Sequence, residues 1–140
     1  MSRISLKQAN AIIEAAFAKG AEAKMKPLSV AVVDAGGHLI AFQRQDGASI
    51  ARFQIAAGKA TGALALGVSS RKVAEIAVER PTFFAGLAAA APAGVIAAAG
   101  GVIVVESGAP ICAVGVTGDT SDNDELAALA GIAAAGLTAQ

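Results

Sequence analysis

LSVAVVDAGGHLIAFQR, residues 28–44, decides how this chain folds. Leu28 to Val33 is a short apolar run rich in β-branched residues, Asp34-Ala35-Gly36-Gly37 is turn chemistry, and His38 to Arg44 is a second strand. Two such runs across a tight turn predict a β-hairpin. Period-2 alternation in the second run puts His38, Ile40, Phe42 and Arg44 on one face, and Asp46-Gly47-Ala48 closes it.

Before the hairpin, Ser5-Leu6-Lys7-Gln8 has the Ser-x-x-Gln form of a capping box. Leu6, Ala9, Ile13, Ala16, Phe17 and Gly20 then recur at helical spacing, with Lys7, Asn10 and Glu14 opposite, predicting a helix from about Ser5 to Lys24. After the hairpin, Ser49 is the expected N-cap of a helix running to about Leu66, in which Gly58 and Gly62 admit a close backbone neighbour. Ser69 or Ser70 opens a shorter helix that stops before Pro81. Residues 83–99 read as turns and partial helix with an added strand near Ile96. Val102–Glu106 and Ile111–Thr117, joined across Ser107-Gly108, form a second hairpin, and a last helix begins near Asp122, where Asp122-x-x-Glu125 has a box-like form. The expected order is α-β-β-α-α-β-β-α in one domain, residues 1–140. That is an α+β fold with an antiparallel sheet of about five strands flanked by helices.

Composition narrows the function. Lys+Arg and Asp+Glu both number 11, no block of like charge occurs, Trp and Tyr are absent and Phe numbers five. A chain without a basic patch or stacking aromatics is a poor nucleic-acid binder. The uncharged run from Pro81 to Val105 is long enough for a bilayer, but Pro92, Gly94 and Gly100-Gly101 cut it into pieces that are too short. Hydrophobic content of 55% with 16% charge places part of that apolar surface in contacts between subunits of a homo-oligomer. MSRISLKQAN lacks the basic-then-apolar layout of a secretion signal, so a cytoplasmic location is expected. Cys112, the single cysteine, lies inside a strand and reads as a buried structural thiol.

Few residues can carry chemistry. His38 is the only histidine. It can move a proton or meet a ligand, although a histidine beside a turn also bonds nearby backbone. Arg44 and Asp46 flank the end of the second strand. Arg52 and Lys59, seven apart on one helix, share a face and can clamp an anion or simply form a solvated stripe. Asp119, Asp122, Asp124 and Glu125 lack the spacing of a calcium loop, and acids in a first helical turn follow from the helix dipole. No metal site is expected. Thr117 and Thr120 offer hydroxyls to a ligand or to turns.

The segment LSVAVVDAGGHLIAFQRQDGAS, the Gly58-Lys59-Ala60-Thr61 stretch and GAPICAVGVTGDTSDNDELAALAG together resemble the GlcG/HbpS-like heme-binding (haem-degrading) family, which is related to the PduO C-terminal domain. The resemblance covers almost the whole chain. It implies a profilin-like sheet, a homo-oligomer, and a small-ligand-binding protein with heme or a related tetrapyrrole as the candidate cofactor. On that reading Arg52 and Lys59 hold carboxylates, while Phe53, Phe83 and Phe84 cover the ring. Axial ligation falls to His38 or Thr117. A second reading is an isomerase or hydrolase acting on a small carboxylated metabolite, with His38, Arg44 and Asp46 as catalytic groups converging with Lys59 between subunits. A third is a non-catalytic scaffold.

Overall fold

The computed structural model of the chain describes residues 3–91 and 93–140. Both predicted hairpins are present, β1 (Ser29–Asp34) with β2 (Leu39–Arg44) and β3 (Gly101–Glu106) with β4 (Ala109–Thr117). They join through β1 and β4, and all the pairs are antiparallel, in the order β2-β1-β4-β3-β5. The fifth strand is β5 (Thr138–Ala139), which pairs with Val104 and Val105. No strand forms near Ile96. Its N–H instead donates to the carbonyl of Gly58, 3.2 Å away, so that segment docks on a helix rather than on the sheet.

The helices among the described residues are α1 (Leu6–Glu22), α2 (Arg52–Leu66), α3 (Ser70–Glu79), α4 (Pro81–Ala90) and α5 (Ser121–Ala134). Ser5 and Gln8 close the predicted capping box at the start of α1. Two other starts differ from expectation. At α2 the N-cap is Ala51 and makes no side-chain cap, while Ser49 accepts from Arg52 Nε at 3.1 Å. At α5 the cap is Thr120, which accepts from the Asn123 N–H, and Asp122 lies inside the first turn. Residues 81–90 are helical because Pro81 at the first position fits that backbone without needing an N–H partner.

The sheet has two unlike faces. Val30, Val32, Val102, Val104, Val114 and Val116 pack with Ile12, Ile13 and Ile132 of α1 and α5 in the main core. Each such side chain contributes about 1.5–3 kcal/mol on burial. The opposite face carries Ala31, Gly115 and Gly101 in one row across three strands, because Gly115 is the partner of both others. α2 lies directly on this row. A Cβ on Gly115 would overlap the carbonyl of Ala56, and one on Gly101 the carbonyl of Lys59. Only glycine permits this approach.

β1 and β2 change register between Val32 and Val33. The bulge divides the face that alternation predicted for β2. Ile40 packs toward the α1–α5 core, whereas the Phe42 ring meets Phe53 of α2 edge-on, with centroids 4.9 Å apart.

Burial under α2 places Lys59 at 2% exposure, with Nζ 2.9 Å from the Val116 carbonyl and 3.1 Å from Asp124 Oδ2. Asp124, equally buried, also accepts the Asp119 N–H at 2.9 Å. Loss of water pushes the Lys59 ammonium below its ordinary range and the Asp124 carboxyl above its own, against the attraction between them. The pair ties α2 to the start of α5 around the end of β4. No helix among the described residues is long and apolar enough to cross a membrane.

Three outcomes follow for stability. Lys59→Met leaves a buried carboxylate unpaired and is expected to cost about 3–5 kcal/mol in urea unfolding, with most of it recovered in Lys59→Met/Asp124→Asn. Gly115→Ala is expected to cost about 2–3 kcal/mol by forcing α2 off the sheet. Asp119 is held below the usual carboxylate range, first by the Asn123 amide and then by the Lys26 N–H. Its contribution is complete above that range and lost as pH falls through the lowered value. Asp119→Asn should therefore be less stable than wild type at neutral pH, and the difference should shrink in acid.

Candidate functional site

α2 has a second side, turned away from the sheet. There Phe53, Ala57 and Gly58 face Leu39 of β2 and residues 93–96 across a cleft of about 560 Å³. Gly58 and Gly62 act as the sequence suggested. A Cβ on Gly58 would lie 2.6 Å from Ile96 Cγ1 and one on Gly62 would lie 3.0 Å from Val95 Cγ1, so both glycines let the 93–96 segment settle on the helix. Thr61 fixes that segment. Its Oγ1 lies 2.8 Å from the Gly94 carbonyl, 3.2 Å from that of Ala93 and 2.9 Å from that of Ala57. The walls are mostly apolar, with Gln54 and Thr61 as the polar side chains among the lining residues.

The sequence-predicted residues are distributed unevenly around this cleft. Phe53 lines it. Arg52 precedes Phe53 at the start of α2, is half-buried and is not among the residues lining the cleft; it donates from Nη1 to Thr117 Oγ1 at 2.8 Å. Two of its five N–H groups are thus engaged, by Ser49 and Thr117, which leaves donors for a further acceptor. Lys59 shares a helix face with Arg52 but lies under the helix in its ion pair with Asp124. Within one protomer it has no route to a ligand in the cleft. Phe84 is half-buried, while Phe83 is 40% exposed under the Arg80 guanidinium, 4.4 Å from its ring centroid.

His38 does not meet Arg44 and Asp46 in a protomer. His38 lies in a different cleft with Asp34, Arg3 and Ile4. Arg44 and Asp46 line a third, shallow one beside Phe17, Met25 and Pro27. Cys112 is buried, and desolvation pushes its thiol up to about 12, so it is inert at neutral pH. Among the described residues no group of three or more His, Cys, Asp or Glu side chains could hold a metal ion.

Two features escaped the reading of the sequence. Asp124 is the internal partner of Lys59, not only an acid in a first helical turn. The single signal available was a lone lysine set among Ala and Gly in a chain poor in charge. Ser29, opposite Thr117 on β1, is fully buried with an Oγ that has no hydrogen-bond partner, and nothing in its apolar strand announced it.

Comparison with known proteins agrees with this architecture. The profile of the family described as haem degrading protein HbpS-like matches residues 4–133. A 15.0 kDa protein of the dhaT-dhaS intergenic region of Citrobacter freundii is 31% identical over 128 residues, covering 91% of this chain and 89% of that one. A double mutant of Streptomyces reticuli HbpS superposes with a TM-score of 0.83 at 30% identity, covering 95% of this chain and 87% of that one. The PduOC:heme complex superposes at 0.86 with 22% identity over 98% of both chains, a likeness of fold.

Proposed function

Because this chain belongs to the HbpS-like family of haem-degrading proteins, we propose that it binds a flat, largely apolar small molecule, with heme as the class, in the cleft between α2 and residues 93–96. The observation that carries this reading is the cleft itself. About 560 Å³ is within the range of small-molecule sites, and mostly apolar walls with few polar groups are their usual lining. Phe53, braced by Phe42, offers an aromatic edge at the mouth, and the remaining donors of Arg52 suit a ligand carboxylate at the start of the helix.

These walls fit the faces of a tetrapyrrole but supply no iron ligand. Among the described residues no His, Cys or Met lines the cleft, and the Thr61 hydroxyl is engaged by backbone carbonyls. Thr117 already accepts from Arg52, and His38 faces another cleft. Binding within a protomer therefore comes from burial of the ring and from Arg52, and no chemical step on the ring is assigned to these side chains.

Titration with hemin tests the proposal. A saturable Soret change at micromolar protein is expected, at least tenfold weaker in Ala57→Trp, which fills the cleft, and several-fold weaker in Arg52→Ala. His38→Asn should bind as wild type does. Absence of any Soret change, or equal affinity in Ala57→Trp, removes the cleft from consideration.

Self-association is the second part of the proposal. α4 is built mostly from apolar residues and buries none of them, its Phe83 is exposed, and Val78 is exposed close by. A surface of that kind is shielded in a homo-oligomer. Light scattering at micromolar concentration should give a mass above the 13.6 kDa protomer, reduced by Phe83→Asp. A wild-type protein that runs as a single protomer excludes it.

A further inference from the structure

We propose that the cleft beside the β1–β2 turn is a separate binding site for a short-chain carboxylate, with Arg3 and His38 holding the carboxylate and Ile4, Ile40 and Ile111 holding the alkyl tail. It stands apart from the heme reading, since these residues lie outside the α2 cleft.

The turn sets where the imidazole stands. Asp34 Oδ1 accepts the Gly36 N–H and the His38 N–H, each at 2.9 Å, and lies 3.2 Å from His38 Nδ1. The backbone closes beneath, with the Gly37 N–H on the Asp34 carbonyl at 2.9 Å and the Asp34 N–H on the His38 carbonyl at 2.8 Å. These bonds keep Asp34 below the usual carboxylate range, the His38 backbone N–H contributing most. The ring packs against Gly36, where a Cβ would lie 2.9 Å from His38 Cε1. Backbone donors alone satisfy the turn, so the imidazole is not required to form it. Nδ1 is on the Asp34 side of the ring, so Nε2 is the nitrogen left for a ligand. The side chain is 83% exposed.

The rest of the cleft comes from segments remote in sequence. It measures about 600 Å³, and Arg3 lines it together with His38. Ile4 and Ile111 are buried and Ile40 half-buried, so they form a fixed apolar floor. Two nitrogen donors above such a floor match an anion that carries a short hydrocarbon chain. A bare anion would leave the floor uncovered. A metal ion would find one histidine and a carboxylate already engaged by the turn. In its protonated form the imidazole donates from both ring nitrogens, giving a chain of Asp34, imidazolium and carboxylate.

The sole histidine makes the test specific. Sodium butyrate is titrated at fixed pH while long-range 1H–15N spectra report the imidazole and 13C-methyl spectra report the isoleucines. The expected result is a saturable millimolar transition in which the His38 ring nitrogens shift together with the Ile4, Ile40 and Ile111 methyls. His38→Gln and Arg3→Ala should each weaken it at least tenfold with the fold intact. Acetate should bind about tenfold more weakly, for want of two methylenes. Ala57→Trp should leave butyrate binding unchanged, which separates this site from the heme proposal. No saturable shift, equal binding of acetate and butyrate, or unchanged binding in both variants overturns it.

Discussion

The close seat of α2 on the sheet is the constraint from which the rest follows. Gly101 and Gly115 lie side by side, with Ala31 completing the row, and the helix backbone rests where side chains would otherwise stand. A helix this close buries every residue on its underside, including Lys59. A buried ammonium needs a counter-charge, and only a carboxylate arriving from elsewhere in the chain can provide it. Asp124 does so from the first turn of α5, so two helices on opposite faces of the sheet are tied together at the end of β4. The row of small residues and the internal ion pair are one device, since larger side chains in the row would lift Lys59 away from Asp124.

The same seat determines where a ligand can approach. With the underside of α2 closed, only its outer side is available, and that side is shaped by Gly58, Gly62 and the segment held by Thr61. The glycines therefore divide into two sets with opposite partners, those in the sheet admitting the helix and those in the helix admitting the 93–96 segment.

Much of this fold was legible from short patterns. Both hairpins, the capping box at Ser5, the helix opened by Ser69 and the buried Cys112 are local or period-2 signals, and each appears as read. What was not legible depends on distant partners. A two-residue strand such as β5 has no pattern of its own and exists because Val104 and Val105 leave an open edge. The strand expected near Ile96 fails because Gly58 offers that segment a nearer carbonyl than the sheet does. The Lys59–Asp124 pair spans 65 positions. The candidate site was legible in part. Phe53 lines the α2 cleft and Arg52 precedes it on the helix, whereas the face that alternation gave to His38, Ile40, Phe42 and Arg44 is divided by the bulge at Val32/Val33.

The turn end of the β1–β2 hairpin lies between two clefts. Gly37 and Leu39 belong to the wall of one, Gly36, His38 and Ile40 to the wall of the other. Successive residues thus face different clefts, an arrangement that invites coupling between them. The turn argues against strong coupling. Asp34 holds it through Gly36, Gly37 and His38 at once, so a shift on one side would have to break several of those bonds before it reached the other. A turn bonded at several points resists being pushed into a second arrangement, and coupling requires such an alternative. The hairpin is a partition between the clefts, and the two can be occupied independently.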